Sequence, residues 1–286
     1  MFNNNETLEL ARLRNVREAL SEDIGVCDRT AQLVAPGAQA NAIVQAKEAA
    51  ILCGREWFDA CVLSLDPQAR IVWRYAEGER VEAFTEICTV AGNARALLSA
   101  ERTALNFLQF LSAVATSAAA FTDAIRSVSP NPSGCVVLDT RKTIPGLRQA
   151  QKYAARTGGG SNHRIGLWDG ILIKENHIAA CGGVREALAQ AQALADGIPI
   201  QIEVESLAEL SEALAAGALN ILLDDFELRN MVAAVALNAG RAVLEVSGGV
   251  DLDTIAQIAS TGVDRISTGK MTKDIRAVDL SLRIVC

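Results

Sequence analysis

From about Pro132 onward the chain repeats one pattern: a short apolar run, a turn, and an Ala/Leu-rich segment of helical periodicity that leads into the next run. The runs are CVVLDTRK, ILIKENH, IQIEVES, ILLDDF, VLEVSGG and RISTG, with spacers such as GVREALAQAQALADG. Strand, helix, strand repetition requires parallel strands joined by right-handed crossovers, in a β/α barrel or a doubly wound sheet. Each run ends in a potentially reactive group: Arg141 and Lys142, Lys174, Glu203 or Glu205, Asp224, Ser247, Thr268. A barrel brings the carboxyl ends of all its strands to one face, where such groups share a pocket, whereas a doubly wound sheet spreads them along a line. The barrel is therefore the favoured reading.

The first part of the chain is built differently. A helix-like stretch, Leu8 to Leu20, precedes strand-like pieces at 41–52, 69–76 and 86–92, punctuated by Gly and Pro. A long helix is expected from about Ala94 to Ser127, apolar around most of its circumference. The closing stretch AVDLSLRIVC reads as one more strand returning to the first part. The expected division is thus 1–110 joined by 277–286, and 111–276.

Composition excludes some partners. The chain of 286 residues carries a net charge of −7, which argues against a nucleic-acid or anionic-membrane surface, so any anion must be bound locally. Seven cysteines, an odd number without a C-x-x-C pair, and an opening MFNNNETLEL without a signal-peptide pattern point to reduced thiols and a cytoplasmic protein. The nearly apolar run Ala104 to Phe121 contains Asn106, Gln109, Ser112, Thr116 and Ser117, and reads as a buried helix of a soluble fold.

Against that acidic background, the stretch from Arg141 to Lys174 holds seven Lys or Arg and a single acid, Asp169. With Arg141 and Lys142 ending one run and Lys174 the next, neighbouring strands are expected to aim three cations at one rim, and GGGSNHR adds His163 and Arg164 from a flexible connection. Like charges so placed cost stability unless an anion is bound. An Arg fork suits a planar carboxylate, and Lys acts as a point charge towards carboxylate or phosphate. Arg102, four residues after Leu98 and three before Leu105, falls on an apolar helix face, where it needs an acid from the protein or from a ligand. His177 reads equally well as a packing residue, and two histidines without clustered cysteines do not make a zinc site.

Glu203 and Asp224, ending neighbouring strands, are placed to hold Mg²⁺, to bond sugar hydroxyls or to stabilise developing positive charge; solvated strand caps are the plain alternative. The turns SGG at 247–249 and STG at 267–269 each follow a strand, as in the phosphate sites of β/α barrels, or serve as ordinary turns.

Taken together, SEDIGVCDRT, ERTALNFLQ, LDTRKTIPGLR, GGGSNHRIGL, LIKENH, IEVES, ILLDDF, EVSGGV, ISTGKMT and DLSLRI resemble the quinolinate phosphoribosyltransferases over nearly the whole chain. The resemblance implies an α/β protein with an N-terminal α/β sandwich domain and an incomplete, open-sided β/α barrel. It implies transfer of phosphoribose from 5-phosphoribosyl-1-pyrophosphate to quinolinate with decarboxylation, Mg²⁺, and a homodimer, alone or as the building block of a hexamer. By residue, it implies a quinolinate pocket of Arg141, His163, Arg164 and Lys174, with Arg102 supplied by the neighbouring subunit. It places Lys142, Glu203 and Asp224 around phosphoribosyl pyrophosphate and its metal, and Ser247, Gly248, Gly249 and Gly269 around the 5-phosphate. This chain departs from the commoner pattern at Glu175, where Asp is usual, at Asp225, where Asn is usual, and at Lys273 and Asp274, where a His often stands. The alternatives are a nicotinate phosphoribosyltransferase-like enzyme, a molybdenum-transport-associated relative of the same fold, and a binding protein that keeps the anion pocket.

Overall fold

The computed structural model describes residues 5–285. In chain order the elements are α1 (Leu8–Ile24), β1 (Gln39–Ala46), β2 (Ala50–Ile51), α2 (Arg55–Leu65), β3 (Arg70–Trp73), β4 (Arg80–Val81), β5 (Glu86–Asn93), α3 (Ala94–Ile125), β6 (Val136–Leu138), α4 (Arg148–Thr157), β7 (Ile171–Ile173), α5 (Glu175–Cys181), α6 (Val184–Leu194), β8 (Ile200–Val204), α7 (Leu207–Ala215), β9 (Asn220–Asp224), α8 (Leu228–Asn238), β10 (Val243–Ser247), α9 (Ile255–Ala259), β11 (Arg265–Ser267), α10 (Lys270–Lys273) and β12 (Leu280–Val285). They form two compact units. One contains the chain up to Ala119, Thr143–Gly159 and the segment from Asp274 onward; the other contains Ala120–Lys142 and Gly160–Lys273. Residues 143–159 thus pack with the first unit, although they fall within the span 111–276 in sequence.

The first unit holds an antiparallel sheet of order β12-β1-β5-β3. The closing strand does return to it, pairing with β1 from Ala46↔Leu280 to Asn41↔Val285. α2 buries Trp57, Phe58, Cys61 and Val62, the i, i+1, i+4, i+5 stripe of an amphipathic helix. Phe58 meets Trp73 of β3 edge-on at 5.4 Å. The start of α2 is held from outside the helix: Glu77 accepts from Gly54 N (2.7 Å), Arg55 N (3.2 Å) and the Tyr153 hydroxyl of α4 (3.1 Å), placing a carboxylate at the positive helix end. α3 is long and apolar enough to cross a membrane, but 67% of its most apolar window is buried inside the protein, as a core helix should be.

The second unit is a six-stranded parallel sheet of order β6-β11-β10-β9-β8-β7, closed on its outer face by helices from the crossovers. β6 and β7 follow each other in sequence yet form the two edges. This corrects the expectation that they are neighbours: the edge of β6 is taken instead by Ser161, which bridges Leu138, donates to Val137 O (2.8 Å) and accepts from Asp139 N (3.0 Å). Val136 and Leu138 from one edge strand and Ile171 and Leu172 from the other line the same cavity of about 600 Å³. The sheet is therefore curled into a barrel left open between its edges. The crossing bond from Gln201 Nε2 on β8 to Glu245 Oε2 on β10 (2.9 Å), over the intervening β9, fits two side chains that both point inward. Pairing of Glu203 with Leu222, Leu222 with Glu245, and Glu245 with Arg265 identifies the inward row, because successive strand residues alternate faces.

Candidate active site

The strand ends fix the mouth of the barrel. Lys174 directly follows β7 as the N-cap of α5, and its Nζ donates to both Glu203 oxygens at 3.1 and 3.0 Å. Glu203 is buried at 7% exposure, and burial is the main reason that its carboxyl is held above the usual range; the Lys174 bond opposes that shift, and Asp224 and Glu175 add to it. Asp224 closes β9 in register with Ser247 of β10. Its carboxyl is also pushed up, first by burial and next by the adjoining Asp225, while Lys174 and Lys142 pull it down. Glu203, Asp224 and Lys174 therefore act on one another across the ends of β7, β8 and β9, and Lys142 acts on Asp224 from the loop after β6.

Arg141 and Lys142 lie beyond β6, which ends at Leu138, so they belong to the following loop and not to the strand as the sequence suggested. The loop is pinned: Lys142 N donates to Thr140 Oγ1 (3.0 Å) and Lys142 O accepts from Thr272 Oγ1 (2.7 Å). The Lys142 side chain lies over Gly269, where an added Cβ would stand 2.9 Å from Lys142 Cδ. Lys142 and Gly269 are thus brought together. Arg164 donates to Gly170 O (3.0 Å); burial, then the neighbouring charge of Arg141, disfavours its protonated form. Like charges gathered this way favour an anion between them.

His163 is placed unexpectedly. Its Nε2 lies 3.0 Å from Gln201 Oε1 and 3.5 Å from Glu245 Oε1, so the ring is held inside the barrel. Its backbone N and the Asn162 amide both bond Asp139, which is fully buried. His177 instead caps α5, its Nδ1 accepting from Lys174 N (3.0 Å), and is exposed.

At the glycine turns, Gly248 and Gly249 take φ values of +93° and +59°. A side chain at 248 would overlap the Asp225 carboxylate, and Asp225 N in turn donates to Ser247 O (3.1 Å). Asp225 itself sits at φ +50°, a region that Asn and Asp tolerate better than most residues. Glu175 is exposed on the first turn of α5, and Lys273 on the last turn of α10 bonds Gly269 O through its backbone N (2.9 Å).

Arg102 belongs to the first unit. It is exposed, not buried against apolar neighbours, and borders a cavity of about 560 Å³ together with Glu18, Glu22, Asn106 and Phe107. The desolvation argument for an obligatory acid therefore does not hold: Asn106, one turn on, marks the same open stripe.

Two residues of the barrel interior, Gln201 and Glu245, and the buried Asp139 just past β6 went unassigned in the sequence. The available signal was polar residues at every second position of a strand, Gln201 and Glu203 in IQIEV, where a core strand should be apolar inward.

A parallel barrel whose strand ends gather cations, paired acids and glycine turns defines an enzyme for small anionic substrates. Models of the quinolinate phosphoribosyl transferase N-terminal domain and C-terminal domain match residues 28–112 and 114–283. The chain belongs to the quinolinate phosphoribosyltransferase family. It is 39% identical over 277 residues to the carboxylating nicotinate-nucleotide pyrophosphorylase of Mycobacterium leprae, covering 93% of this chain and 95% of the relative. It is 37% identical to the probable carboxylating nicotinate-nucleotide pyrophosphorylase of Bacillus subtilis, covering 97% and 94%. The solved nicotinate-nucleotide pyrophosphorylase from Francisella tularensis superposes with a TM-score of 0.92 at 43% identity, covering 99% of this chain and 98% of that one.

Proposed function

We propose that the protein transfers phosphoribose from 5-phosphoribosyl-1-pyrophosphate to the ring nitrogen of quinolinate and releases pyrophosphate and CO2, giving nicotinate mononucleotide for NAD biosynthesis. The observation that carries this reading is one barrel mouth in which Lys174 and the loop cations stand beside Glu203 and Asp224 at the ends of β7, β8 and β9. Arg141, His163, Arg164 and Lys174 are assigned to quinolinate. Lys142, Glu203, Asp224, Ser247, Gly248, Gly249 and Gly269 are assigned to phosphoribosyl pyrophosphate.

Holding the diacid beside the ribose replaces an encounter in solution by a fixed approach, which lowers the barrier before any bond changes. As the C1–pyrophosphate bond breaks, positive charge grows on the ribose, and Glu203 and Asp224 face it from preorganised positions. Lys142 offsets charge on the departing phosphate. The N-ribosylated ring then carries a formal positive charge, so the electron pair left when the adjacent carboxylate departs as CO2 is stabilised by the ring itself before that carbon takes up a proton.

Mg²⁺ is part of the proposal, with Glu203 and Asp224 as its protein oxygens, directly or through water. Among the described residues no group of three or more His, Cys, Asp or Glu is placed to hold a metal, so the protein offers a two-carboxylate platform. That fits an ion that keeps waters and shares substrate phosphates. When bound, the ion would neutralise charge on the pyrophosphate.

A homodimer, with or without further assembly to a hexamer, and delivery of Arg102 to the neighbouring subunit's site are also proposed. The exposure of Arg102, without an ion-pair partner among the described residues, supports this. A cytoplasmic location is supported by six free cysteines among the described residues. The test is a single assay. Purified protein given quinolinate labelled in the carboxyl adjacent to the ring nitrogen, phosphoribosyl pyrophosphate and Mg²⁺ should release labelled CO2 and pyrophosphate in equal amounts. Product formed from nicotinate instead, with no CO2, would overturn the assignment.

A further inference from the structure

The mouth of the barrel accounts for Lys174, Glu203 and Asp224, but it leaves a second polar set, deeper inside, without a task. Glu245 is 1% exposed on β10, and its Oε1 has no hydrogen-bond donor. Gln201, 9% exposed on β8, gives its Nε2–H to Glu245 Oε2 at 2.9 Å and turns its Oε1 to His163 Nε2 at 3.0 Å. On its other side, His163 Nδ1 accepts from Arg164 N at 2.8 Å. A carboxylate and an amide buried inside the barrel, with Arg265 of β11 paired opposite Glu245 in the inward row but not bonded to it, cost folding free energy compared with apolar residues of the same shape. Their retention inside the cavity therefore calls for a role.

The directions of these bonds supply one. A carboxylate accepts only, so Glu245 forces the nitrogen of the Gln201 amide towards itself and the oxygen towards His163. The amide oxygen also accepts only, so His163 must present Nε2–H to it. That leaves Nδ1 bare, which is the form that the Arg164 N–H requires. The amide cannot turn over without setting its NH2 against the imidazole N–H and its oxygen against the carboxylate.

We propose that Glu245 and Gln201 are positioning residues that fix the orientation and the Nε2–H tautomer of His163, and with it the backbone from which Arg164 springs, so that the quinolinate-binding segment is set before substrate arrives. The effect on catalysis rests on the assignment of His163 and Arg164 to the quinolinate pocket; the tautomer does not. Preorganisation of this kind acts on binding of the diacid and leaves the phosphoribosyl pyrophosphate side of the barrel mouth unchanged.

The test combines kinetics with the nitrogen-15 NMR signals of labelled histidine, the His177 signals being identified through a His177→Gln variant. The wild-type protein should show His163 protonated at Nε2 alone. Gln201→Leu, which fills the space but removes both bonds, should give mixed tautomers and a quinolinate KM about tenfold higher. In that variant, kcat should stay within about threefold and the KM for phosphoribosyl pyrophosphate should not move, a split that general loosening of the barrel would not produce. Glu245→Met should reproduce Gln201→Leu, whereas Glu245→Gln, which keeps an acceptor for the amide, should recover most of the wild-type KM. Adding Gln201→Leu to His163→Ala should cost nothing more. A folded Gln201→Leu protein with the wild-type tautomer and quinolinate KM would overturn the proposal. If His163→Ala and Arg164→Ala leave the quinolinate KM unchanged, the pocket assignment is what fails, and the NMR signals still decide whether the relay exists.

Discussion

Lys174 and Glu203 form a two-pronged ion pair, with Nζ 3.1 and 3.0 Å from the carboxylate oxygens, across the ends of β7 and β8. The same lysine is proposed to hold a carboxylate of quinolinate, so substrate and Glu203 compete for it. Removing Glu203 then has opposite effects on binding and on chemistry. Glu203→Ala should lower kcat by about 10²-fold, the scale for loss of one preorganised charge-stabilising group, without raising the quinolinate KM. Lys174→Ala should raise that KM by about tenfold, as expected for a lost charged hydrogen bond. Steady-state kinetics with each substrate varied in turn check both; an unchanged kcat in the Glu203 variant would remove it from the mechanism.

The glycine turn after β10 is sterically committed. An Ala at 248 would have to adopt φ +93° and displace Asp225, a strain of about 1–2 kcal/mol from the left-handed backbone alone. Gly248→Ala should raise the KM for phosphoribosyl pyrophosphate by about tenfold or more while leaving the quinolinate KM close to wild type, in line with a backbone phosphate cradle. Combining it with Asp225→Ala should return part of the loss. Equal weakening of both substrates would argue against the phosphate assignment.

In the first unit, Gly158 closes α4 at an ordinary φ of −79°, but an added Cβ would overlap the carbonyl of Ala115 on α3. Gly158→Ala should therefore destabilise by about 2 kcal/mol, through overpacking and not backbone strain. Calorimetry should show a fall in Tm of roughly 4–8 °C for a chain of this size.

Asp59 gives a pH dependence of known sign. Burial raises its carboxyl above the usual Asp range, opposed by the bond from Trp73 Nε1 (2.9 Å). The folded state thus holds that proton more tightly than the unfolded chain. The contribution is present below the unfolded value and is lost as pH rises through the folded one. Asp59→Asn, which keeps an acceptor for Trp73, should be more stable than wild type at neutral pH, with the advantage vanishing as pH falls below the ordinary Asp range. Denaturant midpoints measured across that interval check it; an advantage that grows towards acid would contradict the assignment.

Much of the barrel was readable because an inward-facing strand end cannot hide its chemistry: Lys174, Glu203, Asp224 and Ser247 close their apolar runs in sequence and meet at one mouth in the fold. Strand order was less readable. Consecutive runs suggest neighbouring strands, but β6 and β7 are the two edges, because the connection between them contributes α4 to the first unit and Ser161 to the edge of β6. Helical spacing put Arg102 on an apolar face through Leu98 and Leu105, while the exposed Asn106 four residues later carried the contrary signal. Gln201 and Glu245 were hidden for a different reason: their partners are two strands apart, and only curvature of the sheet brings them together.

The central claim is that the barrel's cations are gathered for a diacid. Calorimetric titration with quinolinate and with nicotinate, which lacks one carboxylate, tests it most directly when run on the wild type and on Arg164→Ala. The wild type should bind quinolinate at least about tenfold more tightly than nicotinate, and Arg164→Ala should erase most of that difference while still folding. Equal affinity for the two acids, or a preference that survives the loss of Arg164, would contradict it.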